Sequence, residues 1–66
     1  MNVGKSLKIA LAMKGIKQSD LAAKVGMTTV WISRLANSEK AGMGSVEMLA
    51  KALDMKVSEF LALGEE

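Results

Sequence analysis

Five residues near the middle of the chain carry side chains suited to a base edge or a phosphate: Thr29, Val30, Ser33, Arg34 and Asn37. On a helix turning about 100° per residue they share one arc, and Ile32, Leu35 and Ala36 share the opposite one. Arg34 offers two parallel donors that match the acceptors of guanine. Thr29 can donate or accept, and Val30 can touch a thymine methyl. Ser33 is short enough to serve at a base edge or at a phosphate. The same residues also suit an ordinary solvated helix face, so the arc alone does not choose between the two.

The remaining composition removes competing chemistries. The 66 residues contain no Cys and no His. Disulfide scaffolds and thiolate chemistry are therefore excluded, and the commonest metal ligand and general base is missing. Ser, Lys, Asp and Glu are present, but none is arranged as a nucleophile with an activating base and an orienting group, so no enzyme and no cofactor are expected. A chain of this length buries only about 60% of its unfolded surface, too little for a deep pocket and its small-molecule ligand. No apolar run approaches the roughly 18 residues of a membrane span, and no signal core opens the chain. A cytoplasmic protein without a membrane partner is the expectation.

Charge adds a direction. The net charge is only +2, but residues 1–40 hold seven basic against two acidic side chains, whereas residues 41–66 hold two against five. A +5 half beside a −3 half suggests one side that faces a polyanion.

These residues must be positioned by helices. Pro is absent, aromatics are limited to Trp31 and Phe60, and half of the chain is apolar, a composition that favours helix over strand. Five helices are expected. The first runs from about Asn2 to Met13, with Val3, Leu7, Ala10 and Leu11 inward and Gly15 as its stop. The second covers about Gln18 to Lys24. The third covers about Thr29 to Ala36, with Thr28 as N-cap. The fourth follows a Ser45 cap and reaches Leu53. The fifth covers about Val57 to Leu63, with Phe60 and Leu61 supplying bulk. Lys17 and Lys56 stand where a capping side chain would be expected and cannot act as one.

The segment QSDLAAKVGMTTVWISRLAN, from Gln18 to Asn37, sets two short helices around Val25-Gly26-Met27. Gly26 permits the left-handed turn, small Ala22 lets the helices cross closely, and Leu21, Val25, Met27, Ile32 and Leu35 are the apolar positions that would lock them. This is the spacing of a helix-turn-helix. Val3-Gly4, Leu7, Gly15-x-x-Gln18, Leu21-Ala22, Gly26, Ile32-Ser33-x-Leu35, Ser45-x-x-x-Leu49, Ala50-x-x-Leu53 and Phe60-Leu61 extend the pattern. Over about Val3 to Leu63 the chain resembles the XRE–Cro/CI family of phage and bacterial repressors.

The resemblance implies an all-α, five-helix, lambda-repressor-like DNA-binding domain spanning residues 1–66, with the helix-turn-helix in helices two and three. It implies a transcription regulator, a repressor or Cro-like protein, that binds a pseudo-palindromic double-stranded operator as a homodimer. The third helix would lie in the major groove and read bases with Thr29, Val30, Ser33 and Arg34. Gln18 and Asn37 would hold phosphates, with Lys17 and Lys40 adding charge and the amides of Gly44 and Ser45 serving the other flank. The dimer contact would fall at Lys56, Val57, Glu59 and Phe60, weak in the absence of DNA because so little apolar surface is there.

The chain departs from the family in two places. Many members pair an Arg late in the first helix with a Glu ending the third; Leu11 and Ala36 stand here, a dry replacement for both partners at once. The loop from Ser38 to Gly44 carries fewer basic residues than in relatives. Trp31, between the two arcs, suits half-burial more than a contact with the sugar-phosphate wall. Ile9 and Met13 would either cover helix five or form an exposed patch. That patch, with the helix-five face, would be the mark of an alternative reading, an antitoxin-like or other protein-interaction module.

Overall fold

The computed structural model describes residues 2–65 and contains five helices: α1 (Val3–Lys14), α2 (Gln18–Val25), α3 (Thr29–Ala36), α4 (Met43–Ala52) and α5 (Val57–Leu63). Their ends follow from local chemistry. The Asn2 side chain accepts from the Lys5 amide at 2.9 Å and caps α1. The Thr28 hydroxyl accepts from the Trp31 amide at 3.1 Å and caps α3, as its sequence position suggests.

Three helices stop in the same way. At the end of α1, Gly15 turns left-handed (φ 66°), and the Ile16 amide reaches back to the Leu11 carbonyl. At the end of α2, Gly26 (φ 70°) lets the Met27 amide reach Ala22. At the end of α4 the left-handed residue is Asp54 (φ 57°), and the Met55 amide reaches Ala50 at 2.9 Å. Each is a Schellman closure, but only the first two use the residue that adopts this conformation without a steric penalty.

The two lysines in cap positions are compensated from the opposite direction. The Lys17 amide donates to the Asp20 carboxylate, and the Lys56 amide donates to the Glu59 carboxylate, each at 3.2 Å. This is one half of a capping box, and it places an acid in each first turn, where the helix dipole favours it.

The helices close around one core. α1 packs on α3 and α5, α2 on α3 and α4, and α4 on α5. Val3, Leu7, Ala10 and Leu11 meet Leu21, Ala22, Ile32, Ala36, Val46, Leu49, Ala50, Leu53 and Phe60. The α1–α3 contact is close because position 4 has no side chain: a Cβ there would stand 2.5 Å from the carbonyl oxygens of Ala36 and Ser38. The Cα trace extends over 26 × 20 × 19 Å. Among the described residues, no helix is long and apolar enough to cross a membrane.

The structure corrects three expectations. Ser45 does not cap α4; the helix begins at Met43 with Gly42 as its extended N-cap. That earlier start places half-buried Ala41 and buried Val46 in the two positions of a hydrophobic staple, both against the core. Met27 is not part of the core that locks the two helices; it remains 42% exposed in the turn, where its backbone amide closes α2. Phe60 is fully buried and fills the core between α1 and α4, so its ring has no surface to offer a second subunit.

Candidate nucleic-acid interface

Helix α3 is divided as its sequence suggests. Ile32 and Ala36 are buried and Leu35 is partly so, whereas Thr29, Val30, Arg34 and Asn37 are exposed and Ser33 is half-buried at the border. Val30 is the clearest case, an apolar side chain left 63% exposed beside polar neighbours. Trp31 is half-buried against the core, in keeping with a structural role. The left-handed turn at Gly26 and the Thr28 cap fix where α3 begins, and the α1–α3 and α2–α3 packing fixes which face it shows.

The flanking groups lie on elements that hold them in place. Gln18, half-buried, is the first residue of α2, next to exposed Lys17. Asn37 closes α3, and its side-chain Nδ2 donates to the Ser33 carbonyl at 3.0 Å, which orients the amide at the helix end. Lys40 sits in a loop tied by Ser38: the Ser38 hydroxyl donates to the Lys40 carbonyl at 2.7 Å and accepts from the Lys40 amide at 3.3 Å.

The helix starts are not equivalent as anion seats. At α1 the Val3 and Gly4 amides donate to the Glu39 and Ser38 carbonyls, and the Lys5 amide donates to Asn2, so that start is closed by the protein itself. At α4 no side chain caps the helix, and the first bond of the helical ladder is made by Val46. Gly44 and Ser45 therefore stand in a first turn whose amides face outward, the arrangement that accepts a phosphate. With α4 starting at Met43, Gly44 and Ser45 both lie in its first turn.

At the expected dimer face, Lys56 and Glu59 are exposed and Val57 is half-buried. They line a groove between α4 and α5 together with Glu47, Lys51 and Asp54. Sequence reasoning did not single out Glu47, Lys51 or Asp54; the position of Asp54 beyond the last turn of α4 was the available signal.

A short helix with a bare, mixed apolar and hydrogen-bonding face, crossed by a supporting helix through a glycine turn, defines a helix-turn-helix module. Residues 6–66 match the Cro/C1-type HTH DNA-binding domain, and the chain belongs to that family. It is a DNA-binding domain of transcription-regulator type, in a family that generally carries no catalysis. No curated protein matches the chain.

Proposed function

We propose that the protein is a repressor-like regulator that binds a pseudo-palindromic duplex as a dimer, with α3 in the major groove. The observation that carries this reading is the exposure of Thr29, Val30 and Arg34, with half-buried Ser33 at their border, on a helix whose other side is buried. Arg34 takes guanine through paired donors, Val30 takes a thymine methyl, and Thr29 and Ser33 adjust to the neighbouring edges. Gln18 and Asn37, with the amides of Gly44 and Ser45 and the charges of Lys17 and Lys40, grip the backbone and set the register. Repression follows from occupancy, by exclusion of polymerase from the same duplex.

The dimer uses Lys56, Val57 and Glu59, and the mixed charge of the α4–α5 groove supports it. Two lysines and three acids there can pair across a two-fold axis, where each contact occurs twice. The apolar lining of the groove is limited to buried Ala50 and half-buried Met55 and Val57, so the free dimer is weak and assembles on DNA. Sedimentation at nanomolar protein should find mainly monomer; a tight dimer there would contradict this part of the reading.

The interaction-module reading rests on Ile9, Met13 and the helix-five face; Met13 is 65% exposed, whereas Ile9 is half-buried and Phe60 fully buried. Selection of bound duplexes from a random pool tests the main reading. Recovered sequences should contain an inverted repeat with half-sites about 10 bp apart; a pool that stays random after several rounds would remove sequence-specific binding.

A further inference from the structure

We propose that Lys8, on α1, is a backbone-phosphate contact that extends the DNA surface across the α1–α3 groove, with Glu39 acting against it. The inference rests on the DNA-binding reading above and adds a site to it.

The groove is lined by Asn2, Lys5, Lys8, Ala36, Asn37 and Glu39 among others. Asn37 belongs to the proposed phosphate set, so the groove continues the surface that faces DNA. Its apolar lining is dry: Ala36 is 3% exposed and Ile9 half-buried, and neither offers a charge. The backbone cannot supply the attraction either, because the Val3, Gly4 and Lys5 amides at the start of α1 are already bonded to Glu39, Ser38 and Asn2. A phosphate at this corner therefore depends on side-chain cations. Lys8 is exposed, and its stem can lie along the apolar surface of Ile9 and Ala36 while the ammonium reaches solvent. Glu39 is exposed on the same groove and repels the same phosphate.

This arrangement gives two substitutions of opposite sign. Lys8→Gln and Glu39→Gln each remove one charge and leave the backbone bonds in place. Binding of the selected operator and of a random duplex is measured by fluorescence anisotropy over a series of salt concentrations, with Lys24→Gln as a control on the distant end of α2. Lys8→Gln should weaken both duplexes by the same factor and flatten the plot of log affinity against log salt by about 0.9 per subunit. Glu39→Gln should tighten both, and Lys24→Gln should leave the slope near that of the parent. Unchanged melting temperatures verify that all three variants fold.

An unaltered slope for Lys8→Gln, an equal change for Lys24→Gln, or a loss confined to the operator would overturn the assignment while leaving DNA binding intact. A parent protein that binds neither duplex would overturn the DNA reading itself, and Lys8 with it.

Discussion

The backbone amide of Gly4 donates to the carbonyl of Ser38 at 2.7 Å, which fastens the start of α1 to the loop that follows α3. The bond requires the two backbones to approach within the space a methyl group would occupy. Gly4→Ala would force a Cβ to 2.5 Å from two carbonyl oxygens, neither of which is a flexible side-chain end. The expected cost is about 1–3 kcal/mol, read as a lower urea midpoint with an unchanged slope. A midpoint equal to that of the parent would mean that the loop can move aside freely.

Asp54 holds a left-handed conformation at the end of α4, where its charge also opposes the helix dipole. Asp54→Gly relieves both at the expense of a more flexible unfolded chain, for a net gain of about 0.5–1 kcal/mol. Asp54→Asn separates the causes, because it removes the charge alone. Thermal melts should rank Gly above Asn above Asp; the reverse order of Asn and Asp would assign Asp54 a favourable contact.

The hydroxyl of Ser6 is buried without a hydrogen-bond partner among the described residues, facing the point where Gly64 closes on α1. A buried, unpaired hydroxyl costs about 1–3 kcal/mol, and Ser6→Ala removes it with little change in volume. The alanine variant should unfold at higher urea. A lower midpoint would show that the hydroxyl is satisfied in solution.

Leu11 and Ala36 behave as a dry substitute for an ion pair only if either charge alone is harmful. Ala36→Glu should cost about 3 kcal/mol or more by burying an unpaired carboxylate, and the double variant Leu11→Arg, Ala36→Glu should recover most of the loss. A double-mutant cycle in urea measures the coupling. Additive losses would mean that the two positions no longer face one another.

Arg34→Ala should weaken operator binding by about 1–3 kcal/mol while affecting a random duplex far less. Titration of both duplexes at one salt concentration is sufficient. Equal losses would make Arg34 a phosphate contact, not a base reader.

Much of the fold was legible because single residues mark its boundaries. Gly15 and Gly26 end two helices and Thr28 begins a third, each through a local conformation that few residue types supply. The start of the fourth helix lies three residues before the expected one because Ser45 carries a capping signal and Gly42 a weak one. The staple between Ala41 and Val46 decides the matter, and it depends on the core. The compensation at Lys17 and Lys56 was overlooked for a related reason: the cap is supplied by acids three residues ahead, not by the residue in the cap position. In the candidate site, helical spacing alone separated the exposed arc of α3 from its buried side. Phe60 shows the limit of such spacing, since an aromatic near a helix start can face its own core or a partner, and only the packing of α1, α4 and α5 distinguishes them.

The dimensions of the folded chain constrain how two copies can share a duplex. In the proposed dimer, half-sites one helical turn apart would set subunit centres about 34 Å from each other. A trace 26 Å long in its greatest direction, laid with its long axis toward its twin, would leave about 8 Å between the facing backbones at that spacing, a gap that long side chains bridge. The proposed meeting would then be a single seam. The duplex, by tethering both copies at that spacing, supplies the effective concentration that so narrow a contact lacks.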